Sequence, residues 1–103
     1  MTKKRFSLVA RVSTDSPGAV GPALASLVPG GSVKAGNSRN EFLVEAEMEG
    51  ESAKELNRSL LSALRRVEKK TRLRAEWTSG DTTARFFDYV LKGVREGGKR
   101  QAR

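Results

Sequence analysis

Six of the ten residues from Arg65 to Arg74 are cationic: Arg65, Arg66, Lys69, Lys70, Arg72 and Arg74. Guanidinium and ammonium groups at this density do not by themselves make or break bonds. They hold phosphates, by charge and by charge-assisted hydrogen bonds. Two shorter groups flank the run, Lys3-Lys4-Arg5 before it and Lys99-Arg100 with Arg103 after it. Residues that catalyse are scarce. The chain contains neither histidine nor cysteine, which removes thiol nucleophiles, the usual general base, disulfides, and zinc held by imidazole or thiolate. Asp15, Asp81 and Asp88 are the only aspartates, and two of them stand where helix caps belong. Glu41, Glu45, Glu47 and Glu49 lie on a solvated strand face, where no desolvation would tune their acidity. The expectation is a binding protein without catalytic residues, bound metal or cofactor.

The charge balance points the same way. Twenty Lys and Arg against 12 Asp and Glu give a net charge of +8, which favours a polyanionic partner, with RNA the commonest soluble choice. At 103 residues the chain is the size of one small domain, expected over residues 1–95, with a disordered basic tail over 96–103. A core of this size is modest, so pairing with a second copy or docking onto a larger protein would add burial. No apolar run approaches the roughly 20 residues needed to span a bilayer, and Arg11 interrupts the segment after Lys3-Lys4-Arg5 before a signal-peptide core can develop. A cytoplasmic protein without membrane contact is expected.

The elements that must position these charges are legible from periodicity. Phe6, Leu8, Ala10 and Val12 alternate as the inner face of a first strand. Ser16 and Pro17 suit the start of a helix whose apolar face is Val20, Leu24, Leu27 and Val28, ended by Pro29-Gly30-Gly31. A weak second strand over 32–36 leads through a Gly36–Asn40 turn into a third. That strand has Phe42, Val44, Ala46 and Met48 inward and its glutamates outward with Leu43. Ser52-Ala53-Lys54-Glu55 reads as a capping box opening the main helix, whose stripe is Leu56, Leu60, Ala63, Leu64 and Val67, widened by Leu61.

After Lys70 a fourth strand competes with a continuation of that helix. Alternation of Leu73, Ala75 and Trp77 with Arg72, Arg74 and Glu76 favours the strand. On it, Arg72 and Arg74 would project from one face, a spacing suited to successive phosphates. Ser79-Gly80-Asp81-Thr82 reads as a turn supplying the cap of a last amphipathic helix with Phe86, Phe87, Val90, Leu91 and Val94 on one side. The order β-α-β-β-α-β, with helices on one face of an antiparallel sheet, defines an α+β ferredoxin-like sandwich with an appended C-terminal helix. Phe6 and Phe42 share a face with aliphatic residues and belong to the core rather than to a base-stacking surface. Trp77 could serve as a base platform, a core residue or an interface anchor, and a core or interface position fits it better.

Two resemblances refine the function. Asp15-Ser16-Pro17-Gly18 is similar to the Asp-x-Pro-Gly turn of ACT domains, which share this element order and bind amino acids at dimer interfaces. More of the chain is covered by a second likeness. An alternating acidic strand runs into a helix reading Arg58-Ser59-Leu60-Leu61-Ser62-Ala63-Leu64-Arg65-Arg66-Val67, in which Ser59, Ser62, Leu64, Arg65 and Val67 fit a family pattern. This stretch resembles the Pcc family, the small dimerising subunit of the KEOPS complex, which installs threonylcarbamoyl groups on adenosine in transfer RNA. The likeness extends over about residues 6–68. Leu61 stands where the family has asparagine, and the segment after Lys70 has no clear counterpart, which fits a divergent paralogue.

The resemblance implies a non-catalytic accessory subunit that forms a homo- or heterodimer, docks the larger catalytic subunit and supports binding of tRNA. Ser59, Leu61, Ser62 and Arg65 would then lie at or beside the partner interface, with Leu61 and Ser62 at the surface. RNA would be held by Lys3, Lys4, Arg5, Arg65, Arg66, Lys69, Lys70, Arg72, Arg74, Lys99 and Arg100. The alternatives are a free-standing ferredoxin-like RNA-binding or ribosome-associated protein, and an ACT-like small-molecule-binding domain.

Overall fold

A computed structural model describes residues 3–96. The elements are β1 (Lys4–Ser13), α1 (Pro17–Leu27), β2 (Ser32–Ala35), β3 (Glu41–Gly50), α2 (Ala53–Val67), β4 (Arg72–Ser79), β5 (Thr82–Phe87) and β6 (Val90–Glu96). All six strands form one antiparallel sheet in the order β2-β3-β1-β4-β5-β6. The architecture is α+β, compatible with a ferredoxin-like sandwich, and a strand meander extends one edge of the sheet.

β1 lies at the centre because its alternation is the cleanest. Phe6, Leu8, Ala10 and Val12 are all buried, while Ser7, Val9, Arg11 and Ser13 face away from the helices. It pairs with β3 through Phe6–Met48 and Ala10–Val44, and with β4 through Leu8–Trp77 and Val12–Leu73. The apolar face thus continues across three strands, and Val20, Leu24 and Val28 of α1 and Leu60, Leu61 and Leu64 of α2 close over it. Trp77 is fully buried, with the Phe6 ring edge-on at 6.4 Å. Gly31 is required by close approach: a Cβ there would stand 2.7 Å from the Ala46 Cβ and 2.8 Å from the Glu45 carbonyl oxygen.

Three sequence expectations are corrected. The segment expected as a C-terminal helix is the β5–β6 hairpin. Phe86, Phe87, Val90, Leu91 and Val94 do have helical spacing, but Gly80-Asp81 is a two-residue hairpin loop rather than a helix start. Ser79 pairs with Thr82, and Gly80 takes φ of +61°. A glycine in the left-handed region at the first loop position suits the twist of the flanking strands. The β-favouring run Thr82-Thr83-Ala84-Arg85-Phe86-Phe87 then extends the sheet, with Phe86 inward and Arg85 and Phe87 outward.

The second correction concerns α2, whose buried face is rotated from the expected one. Leu61, which its spacing places at the edge of the apolar stripe and the family resemblance places at the surface, is 0% exposed, whereas Val67, expected inside, is 43% exposed. The cause is Asn57. Its Oδ1 accepts from the Trp77 indole N–H at 3.1 Å and its Nδ2 donates to the Asp88 carbonyl. An asparagine satisfied on both sides can be buried, and it turns the arc Asn57, Leu60, Leu61 and Leu64 inward. Leu61 is therefore a core residue and not part of a partner interface.

Third, Glu96, expected as the first residue of a disordered tail, is the last residue of β6. The rest of that tail, including Lys99 and Arg100, lies outside the described residues.

A second polar knot fastens the loops at the far end of the sheet. Thr14 and Thr71 are buried, and the Thr71 hydroxyl donates to Thr14 Oγ1 at 3.2 Å. Thr14 Oγ1 in turn donates to Glu68 Oε1 at 3.3 Å and accepts from the Ser16 N–H at 3.1 Å. The Lys70 N–H donates to Glu68 Oε2 at 3.1 Å. That backbone donor, with the Asp15 N–H and the Thr14 and Thr71 hydroxyls, holds the Glu68 carboxyl below its usual value against a smaller opposing effect of desolvation. Glu68 thus ties the loop before α1 to the loop after α2.

Candidate nucleic-acid interface

The cationic run does not form one surface. Helix α2 and strand β4 lie in different layers, and the turn between them sends the charges to opposite sides of the molecule. Arg72 and Arg74 are exposed on the helix-free face of the sheet, with Ser13 and Arg11 as their β1 partners. Arg66 is exposed on α2, and Lys69 and Lys70 are exposed in the turn that follows it. Arg65 is turned partly inward. Its Nε donates to the Thr71 carbonyl at 2.9 Å, its Nη2 lies 3.5 Å from Asp88 Oδ1, and its guanidinium carbon sits 5.9 Å from the Tyr89 ring centre.

On the helix side the structure adds two cations that the reading of residues 65–74 misses. Lys54 and Arg58 precede Ser62 and Arg66 at steps of four along α2, so the four positions lie in one row with about 6 Å of helix rise between neighbours. Their i, i+4 spacing is present in the sequence, beside the stronger apolar period of the same helix. Arg58 pairs with Glu55 at 2.9 Å. Among the described residues Lys54, Arg66, Lys69 and Lys70 make no ion pair. Arg58, Ser59, Ser62, Ala63 and Arg66 line a shallow concavity in this row. Ser59 is exposed there, and the Ser62 hydroxyl bonds the Tyr89 hydroxyl at 2.7 Å. The macrodipole of α2 supports Arg65 and Arg66 in its last turn, and Ser52 caps its start by accepting from the Glu55 N–H at 3.1 Å.

The opposite face of the sheet has a different character. Val9 is 52% exposed and Leu43 36%, and they line a depression with Arg11, Glu45, Arg74 and Phe87. The Arg74 guanidinium stacks over Phe87 at 4.9 Å. Charges here are largely answered within the face: Arg5 by Glu47 at 3.2 Å and Glu49 at 3.7 Å, Arg11 by Glu41 at 3.7 Å, and Arg85 by Glu76 at 3.3 Å. Arg5 is therefore committed to carboxylates of β3, while Lys3 and Lys4 are exposed at the start of β1. Such a face, apolar in the middle and nearly charge-balanced around it, can meet a protein surface. The row on α2, with few carboxylates beside it, can meet phosphates.

Among the described residues no cluster of three potential metal ligands occurs, and no helix is long and apolar enough to cross a membrane. Comparison with protein-family models, curated proteins and solved structures finds no match to this chain.

Proposed function

We propose that the chain is a non-catalytic accessory subunit that binds RNA along α2 and meets a protein partner through the open face of its sheet. Carried further by its resemblance to the Pcc family, the reading is a dimerising subunit of a KEOPS-like complex, docking the catalytic subunit and helping to hold transfer RNA for threonylcarbamoyl modification. The observation that carries the RNA reading is the row Lys54, Arg58, Ser62 and Arg66, continued by Lys69 and Lys70, with one carboxylate partner at Arg58. Contacts of this kind give affinity with little sequence preference and a steep salt dependence.

The test is anisotropy titration of labelled transfer RNA over a range of salt concentrations. Replacing Arg58, Arg66, Lys69 and Lys70 by alanine should weaken binding and flatten the salt slope by about 0.7–0.9 for each lost phosphate contact. Replacing Arg72 and Arg74 should leave the slope nearly unchanged. The opposite pattern, with loss confined to the Arg72 and Arg74 variant, would move the RNA to the sheet face and refute the assignment. Affinity purification then separates the partner readings. Recovery of a threonylcarbamoyl-transferring ATPase supports the accessory subunit, and recovery of ribosomal proteins alone supports a free-standing ribosome-associated protein.

A further inference from the structure

The β5–β6 hairpin brings an aromatic ring to the middle of the cationic row. Tyr89 is 44% exposed, and its hydroxyl bonds Ser62, the position between Arg58 and Arg66. The ring does not hang free. The Arg65 guanidinium lies over one face of it, 5.9 Å from the ring centre, and the backbone beside it is fixed through Asp88. The Asp88 carbonyl accepts from the buried Asn57, and Asp88 Oδ1 accepts from the Leu73 N–H at 2.9 Å. Asp88 itself holds a φ of +60°, a left-handed conformation that aspartate tolerates better than most residues. An exposed ring anchored at its hydroxyl, by Arg65 over one face and through its backbone has little left to lose on stacking a planar ligand on the other face.

From this placement we infer that Tyr89 is a stacking platform for an unpaired nucleobase, so that the α2 surface prefers single-stranded RNA to duplex. The inference rests on the RNA reading above and adds to it the kind of RNA. Arg58 and Arg66, two helical turns apart, hold phosphates on either side of the base that lies on Tyr89. In a duplex the bases are already stacked on one another, so the ring has no base face to meet and only the phosphate contacts remain. Stacking is tolerant of base identity, because every base has a π-face.

The experiment measures binding of the full chain to an unstructured RNA carrying one 2-aminopurine, and to the same strand annealed to its complement. The single strand is expected to bind more tightly, with quenching of the 2-aminopurine. Tyr89→Ala should cost about five- to 150-fold in single-strand affinity, the range for one stacked base. It should leave duplex affinity and the salt slope unchanged. Tyr89→Phe keeps the ring and should retain most of the preference. Equal affinity for single strand and duplex in the unaltered protein, with a steep salt slope, would overturn the platform while leaving the RNA surface intact. Full quenching in Tyr89→Ala would also overturn it. Binding to neither RNA would remove both readings together.

Discussion

Replacing Asn57 by alanine tests the arrangement on which both the fold of the C-terminal hairpin and the position of Tyr89 depend. Asn57 is 1% exposed and makes two hydrogen bonds, one from the Trp77 indole and one to the Asp88 carbonyl. Alanine removes both and leaves the Trp77 N–H, on a side chain that is itself fully buried, without an acceptor. Leaving one buried polar group unsatisfied costs about 1–3 kcal/mol. The Asp88 carbonyl sits at a partly buried turn where water can replace the lost donor, so its contribution is the smaller one. The expected loss is about 2–4 kcal/mol, a large part of the roughly 5–15 kcal/mol available to a small domain. Urea denaturation followed by Trp77 fluorescence would report it as a lower midpoint at unchanged slope. Hydrogen exchange should show the excess opening concentrated at the β5–β6 turn. A double-mutant cycle with Trp77→Phe, followed by far-UV circular dichroism because Trp77 is the one tryptophan of the chain, should return a coupling of about 0.5–3 kcal/mol, because one interaction is shared. A loss below about 0.5 kcal/mol for Asn57→Ala would show that the network does not hold the hairpin, and the case for an anchored Tyr89 would fall with it.

Leu61→Ala should destabilise the domain by about 2–5 kcal/mol, as expected of a fully buried leucine; a variant with normal stability but impaired partner binding would restore Leu61 to an interface. Glu68 has its carboxyl acidity strengthened by the fold, so its contribution to stability is present above its unfolded pKa, near 4.5, and is lost as pH falls through the lower folded value. Thermal unfolding of Glu68→Gln should therefore lack part of the stability gain that the unaltered chain shows as pH rises through that acid range. Identical pH profiles for the two proteins would rule out the knot formed with Thr14, Thr71 and Lys70.

Much of the architecture was legible because it rests on local periodicity. Alternation in β1, β3 and β4, the Ser52 cap, and the Pro-Gly-Gly end of α1 each specify an element without reference to the rest of the chain. The hairpin after Gly80 was legible in principle, since glycine-aspartate between β-favouring residues is a strong turn signal. It was outweighed by apolar residues whose spacing satisfies a helix equally well. Which reading prevails depends on the open edge of β4, whose backbone groups gain hydrogen-bond partners from β5.

The candidate site divides along the same line. Composition and charge alone determined that this chain has the means to attract a polyanion and lacks histidine and cysteine chemistry, because those properties belong to residues rather than to their arrangement. Six cations close together in sequence were not one patch, since a helix and the following strand face opposite sides of a two-layer fold. Only tertiary packing decided that Leu61 is inside rather than at a partner interface, and that Tyr89 stands beside Ser62 and Arg65. The physical reason is Asn57: a polar side chain whose partners lie 20 and 31 residues away sets the rotation of α2, and no window of local sequence contains them.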